Sequence, residues 1–185
     1  MLKLLPTKGK LLIADPSMSD QSFGRTVILL TEHNENGSIG FILNRPLGFS
    51  IKDILPEINL DMEIYNGGPV EQDNLYFVHQ MPDVIPGSIE ISNGIFWGGD
   101  FDSVKDLINS GEISSKSIKF FLGYSGWSSK QLVSEMKEDS WLVSKEHGDQ
   151  TLFLNQTKSL WKNQMNNLGG KYLIWANAPI DPSLN

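Results

Sequence analysis

The chain contains no cysteine, which excludes disulfides, thiolate metal sites and cysteine nucleophiles. Arginine is nearly as scarce: Arg25 and Arg45 stand alone against thirteen lysines. Positive charge is in deficit overall, with a formal net charge of -7 and a pI near 4.9. A general nucleic-acid binder needs a concentrated basic surface, so direct DNA binding is disfavoured. Long apolar runs are missing too. The N-terminal MLKLLPTKGKLLIADP holds two short apolar patches broken by Pro6, Lys8, Gly9 and Lys10, neither a signal peptide nor a membrane span. A cytoplasmic location is expected. Dinucleotide and phosphate-loop spacings are absent, as is any Gly-Lys-Ser or Gly-Lys-Thr. Nor does a His-x-x-His spacing occur, so no metal or cofactor is implied.

What is present suits a single domain spanning 1–185. Hydrophobic residues make up 39% of the chain, with nine Phe and five Trp as large core anchors. No linker, low-complexity segment or internal repeat interrupts it. The stretch DQSFGRTVILLTEHNENGSIGFILNRP, residues 20–46, reads as a hairpin with Asn36-Gly37 as its two-residue turn. Paired residue numbers would then add to about 73, setting Thr31 opposite Ile42 and Ile28 opposite Arg45. Alternation makes both faces mainly apolar, so the hairpin should lie in a sheet covered on both sides.

Short strands are predicted at 10–14, 62–65, 75–79, 88–92, 95–97, 118–122, 141–143 and 152–154. Ser50 should cap a short turn through Leu55. A helix capped by Asp100 or Asp102 should end at Gly111. Two more should follow Ser128 or Ser129 and Thr157, the first with an apolar stripe of Leu132, Val133 and Met136. Strands dominate the first half and mix with helices in the second, which favours an α+β fold with a mixed sheet over a doubly wound one.

Several constellations could carry chemistry. The two arginines close the outer ends of the hairpin. A planar, permanently charged fork suits a carboxylate or phosphate, although ideal alternation sends the two to opposite faces. Gly67-Gly68-Pro69 follows a strand, and consecutive glycines there could turn backbone N–H groups into an anion nest. His33 and His79 end strands and could act as acid-base groups. Gly123-Tyr124-Ser125-Gly126-Trp127 lacks the second glycine of a nucleophile elbow, so it reads as a turn in which Tyr124 and Trp127 pack.

The order of these landmarks resembles a known family. Leu11-Leu12-Ile13-Ala14, Pro16, Met18, Asp20, Phe23, Arg25-Thr26-Val27, Glu32-His33, Gly37, Gly40 and Asn44-Arg45-Pro46 are similar to the bacterial AlgH/YqgE family. So are Gly67-Gly68-Pro69-Val70, His79, Gly123-Tyr124, Trp127, Gln131-Leu132, Glu135 and Trp141. The resemblance implies a bacterial protein with a bifurcated, partly barrel-like sheet flanked by helices. It carries a provisional label of transcriptional regulator but no established reaction. With no helix-turn-helix and no basic face, regulation would run through a ligand or protein partner. Family landmarks and chemical candidates coincide at Arg25, Thr26, His33, Asn44, Arg45, Gly67, Gly68 and His79. The expected function is a binding or regulatory module for an anionic small molecule or peptide carboxylate. The alternatives are regulation through protein contacts at Trp97, Phe101 or Trp127, and an enzyme using a histidine with arginine as anion stabiliser.

Overall fold

The computed structural model describes residues 4–154 and 157–179. Ten strands run in chain order: β1 (Lys10–Ala14), β2 (Val27–Asn34), β3 (Gly37–Ile42), β4 (Pro46–Ser50), β5 (Glu63–Asn66), β6 (Val70–His79), β7 (Ile89–Ser92), β8 (Ile95–Trp97), β9 (Ile118–Ser128) and β10 (Trp141–His147). The helices are α1 (Ile51–Ile54), α2 (Phe101–Asn109), α3 (Gln131–Lys137), α4 (Leu160–Leu168) and α5 (Tyr172–Ala176). The strands form one sheet in the order β10-β1-β2-β3-β9-β6-β8-β7, from which β5 and then β4 branch. Together these make the α+β fold with a mixed, forked sheet.

The fork is built on β9. Its Ile118–Leu122 half pairs antiparallel with β6, while Phe120–Leu122 also pairs parallel with β5. Beyond Gly123, Tyr124 still faces Val70 of β6, and Ser125–Ser128 then pair antiparallel with β3. The expected turn at Gly123–Trp127 is therefore a continuation of the strand. Gly123 makes the switch possible: its φ is 69°, and a Cβ there would fall 2.6 Å from the Gly68 carbonyl oxygen.

The central hairpin also differs from its expected register. Glu35 and Asn36 form the turn, with Asn34 opposite Gly37 and Ile28 opposite Ile42. Asn34 Oδ1 accepts from the Asn36 N–H at 2.8 Å, an Asx turn that removes the need for positive φ at both central residues. Gly37 is instead used for close approach, since a Cβ there would sit 2.4 Å from the Trp127 carbonyl oxygen. A bulge between Leu30 and Glu32 adds a further shift. The shifted turn alone keeps the faces, whereas the one-residue bulge moves residues 40–43 to the opposite face from the one alternation around Asn36-Gly37 gives. Phe41 and Leu43 thus join Val27 and Leu29, and Ile42 joins Ile28 and Leu30.

Both faces are nevertheless covered, as two apolar faces require. On one face Leu11, Val27, Leu29, Phe41 and Phe121 pack with Leu160, Trp161 and Met165 from α4. On the other, Ile28, Leu30 and Ile42 pack with Trp127, Trp141 and Leu132 of α3. Val133 is exposed and drops out of the expected stripe. A third cluster fills the other arm of the fork, with Ile51, Ile64, Phe77, Val104, Ile108 and Phe120. The sheet curls without closing. Its two ends approach near Gly9, where Lys8 Nζ donates to the Glu90 carbonyl at 2.9 Å, but no ladder joins β7 to β10.

The ends of other elements follow their chemistry. Ser50 and Asp53 form a reciprocal capping box at α1, and Asp100 accepts from Ser103 N–H at the start of α2. Leu152–Leu154, expected as a strand, form turns. The helix α5 was not foreseen in the apolar tail.

Candidate functional site

Arg25 and Arg45 lie at one end of the hairpin but reach different places. Arg25 has left-handed backbone, φ 57°, and its guanidinium stands 4.9 Å from the Trp161 ring centroid. It donates to the carbonyls of Ala178 at 3.0 Å and Pro179 at 2.8 Å, fastening the C-terminal segment across the sheet end. Arg45 donates to the carbonyls of Gln21 at 2.8 Å and Gly24 at 3.0 Å. No shared clamp results. Between them Asn44 imitates a strand: Oδ1 accepts from Val27 N–H and Nδ2 donates to the Arg25 carbonyl, both at 2.9 Å. Thr26 is fully buried, with its hydroxyl donating to the Phe23 carbonyl at 2.7 Å.

Gly67 and Gly68 do not form a nest. Gly67 N–H donates to the Leu122 carbonyl at 2.8 Å, and Gly68 N–H donates to Asn66 Oδ1 at 3.0 Å. Gly67 sits in the crotch of the fork, where its carbonyl accepts from Ile42 N–H and from Ser125 Oγ, both at 3.0 Å. A Cβ at Gly67 would come within 2.1 Å of the Gly123 oxygen. The glycine pair is thus explained by close approach of three strands.

Arg45 and Gly68 do meet, in a hollow of about 170 Å³ also lined by Gln21, Ser22, Asn66 and Gln72. Because Asn66 Oδ1 is committed to Gly68, its Nδ2 remains as a donor group. No acidic side chain lines this hollow. Desolvation lowers the pKa of Arg45, with the nearby charge of Asp20 opposing.

The histidines lie elsewhere. His33, near the hairpin turn, has Nδ1 2.7 Å from Ser38 Oγ. His79 is fully buried. Its Nδ1 accepts from Met81 N–H at 3.1 Å, which leaves Nε2 to donate to the Gly98 carbonyl at 3.0 Å. Desolvation lowers its pKa, opposed by the Gly98 hydrogen bond. These partners make His79 a core hydrogen-bonding residue. The aromatic contact candidates also divide: Trp127 is buried, and both its indole N–H and that of Trp141 donate to Glu135 Oε2 at 2.8 and 2.7 Å. Trp97 and Phe101 are half-buried along an apolar trough.

One residue escaped the sequence reading. Lys119 on β9 is only 8% exposed. Its Nζ donates to the carbonyls of Leu43 and Leu152, each at 3.3 Å, and stands 3.8 Å from the Tyr65 ring centroid. It lines a hollow of about 400 Å³ with Glu63, Tyr65, Ser115, Lys116 and Phe153 among its walls. Burial pushes its ammonium down to about 8, with Glu63 opposing. Burial likewise raises the Tyr65 phenol to about 12, helped by the charge of Glu63 and the hydrogen bond to it. The available signal was a lysine inside the apolar run Ile118-Lys119-Phe120-Phe121-Leu122, at the same parity as the inward Phe121.

Among the described residues, no group of three or more His, Asp or Glu is placed to hold a metal ion. No helix there is long and apolar enough to cross a membrane.

Comparison with known proteins agrees with this architecture. A UPF0301 protein from Bacteroides thetaiotaomicron is 44% identical over 184 residues, covering 98% of this chain and 93% of the relative. One from Chlorobium limicola is 43% identical, covering 99% and 97%. The solution structure of the AlgH protein from Pseudomonas aeruginosa matches with a TM-score of 0.72 at 29% identity, covering 98% of this chain and all of that one. A crystal structure from Corynebacterium diphtheriae shares the fold, with a TM-score of 0.76 at 22% identity over 96% and 95% of the two chains. A family model described as AlgH-like matches residues 11–173, and the chain belongs to that AlgH-like family.

Proposed function

We propose that the protein is a non-catalytic binding module whose ligand presents a carboxylate- or phosphate-sized anion to the Arg45 hollow. The observation that carries the reading is the composition of that hollow. A half-buried guanidinium shares the lining with Ser22, Asn66, Gln21 and Gln72 and with no acidic side chain, the nearby Asp20 lying outside that lining. Two of the five guanidinium N–H groups hold Gln21 and Gly24 in place, so an anion would use the rest of a fork that is already oriented. Orienting the donors in advance reduces the entropy lost on binding. The engaged N–H groups of Gly67 and Gly68 support the fork's geometry and take no part in the anion contact. Any regulatory role would follow from occupancy of this hollow, and the ligand is placed in the cytoplasm.

The test is thermal denaturation with a panel of phosphorylated and carboxylated metabolites. A ligand at 100 times its dissociation constant stabilises by about 2.7 kcal/mol. For a chain of this length that raises Tm by roughly 5–10 °C. Arg45→Lys keeps the charge but loses the planar fork, so it should remove most of the shift. A ligand that stabilises wild type and Arg45→Lys equally would place the site elsewhere.

A further inference from the structure

We infer that Lys119 is a reactive amine that condenses with the carbonyl group of a small aldehyde or ketone admitted to the hollow it lines. This inference is independent of the Arg45 hollow, with which this one shares no lining residue. Three features of the geometry lead to it. Lys119 lines a cavity of about 400 Å³, large enough for a compact metabolite, and the residue is only 8% exposed. Among the described residues, no carboxylate lies within ion-pairing distance of it, the ion pair there being Lys105 with Asp102. Its hydrogen-bond partners are the Leu43 and Leu152 carbonyls.

Those two acceptors match the neutral amine as well as the ammonium. An uncharged amine has two N–H groups, so losing the third proton sacrifices neither hydrogen bond and frees a lone pair. The Tyr65 ring face and the charge of Glu63 favour the charged form, but burial outweighs Glu63 and lowers the ammonium to about 8. Lysines activated by desolvation are the ones that form Schiff bases with carbonyl compounds.

The step balances without any further reagent. The Nζ lone pair attacks the carbonyl carbon, and the C=O π pair moves to oxygen. A proton passes from nitrogen to that oxygen to give a carbinolamine, which expels water as the C=N bond forms. One carbonyl compound and one amine yield one imine and one water. Tyr65 Oη donates to Glu63 Oε2 at 3.3 Å, which places a proton-carrying pair on the same wall for the dehydration.

The test uses the full native chain, propionaldehyde as the probe, and cyanoborohydride to trap the imine as a secondary amine. Peptide mapping by mass spectrometry then gives a separate rate for each lysine. At pH 7.5 Lys119 should be alkylated at least ~10-fold faster than the exposed lysines, because a lowered pKa leaves far more free amine. Its rate should rise through a midpoint near pH 8 while theirs continue to climb. A merely structural Lys119 would be the slowest of the set. Modification no faster than the exposed lysines, or only after urea unfolding, would overturn the proposal. The wild-type comparison needs no variant, and Lys119→Arg should remove the fast site while leaving the others unchanged.

Discussion

Replacing Lys119 by methionine should change how stability depends on pH more than it changes stability at any one pH. The folded-state pKa of Lys119 is lowered to about 8 from 10.5, chiefly by burial. Between those values the unfolded chain binds a proton that the folded chain does not, so stability rises with pH across that window. Below pH 8 both states are protonated and the full cost of burying the charge is present. Integrating the linkage from pH 7 to 9.5 gives a rise of about 2 kcal/mol attributable to this one group. Stopping at 9.5 avoids Tyr65, whose raised pKa of about 12 makes stability fall again once unfolded tyrosine ionises. Urea unfolding at half-unit pH steps would measure both proteins, and every titration they share cancels in the difference. Wild type should gain on Lys119→Met by about 2 kcal/mol over the range. Parallel curves would show that Lys119 keeps an ordinary pKa and would refute the desolvation argument.

Asn44→Ala should cost about 1–3 kcal/mol in the same assay, because it strips partners from Val27 N–H and the Arg25 carbonyl at once. Gly67→Ala should cost about 3 kcal/mol or prevent folding, since the new Cβ would meet the Gly123 carbonyl, which is backbone, and the buried Phe41 ring; a neutral effect would show that the fork can open. An NMR titration of the imidazoles should place the His79 midpoint below 6.5, with stability contributed by neutral His79 at higher pH and lost as pH falls through that midpoint. A midpoint at or above 6.5 would contradict the buried, neutral assignment.

The hairpin shows what the sequence could convey. Apolar residues at both parities of 27–34 and 37–43 predicted a strand pair covered on both faces, and the two packed clusters on either side of the hairpin bear this out. The register was out of reach because the turn is set by the Asn34 side chain and the bulge by Thr31, whose hydroxyl donates to the Ile39 carbonyl. Local turn preference pointed to Asn36-Gly37, while contact between Gly37 and β9 decided the outcome. The same limit explains Gly123–Trp127: glycines read as a turn until the Gly68 carbonyl, in the link between β5 and β6, is known to lie 2.6 Å from where a Cβ would be. Arg25 and Arg45 stood out by rarity. Their separate destinations depend on loop 21–24 and the C-terminal segment, which periodicity does not position. Lys119 was visible as one charge in an apolar run, but its meaning requires the walls supplied by Leu43, Tyr65 and Leu152 from distant parts of the chain.

The claim that Arg45 serves an anion seat can be tested most directly by a ¹H–¹⁵N NMR titration with inorganic phosphate at fixed ionic strength. The account predicts saturable shifts at the Arg45 guanidinium, the Asn66 and Gln72 side-chain amides and the Gly68 backbone amide, all lost in Arg45→Lys. Shifts that are linear in phosphate, or that spread over the surface and survive the substitution, would contradict it.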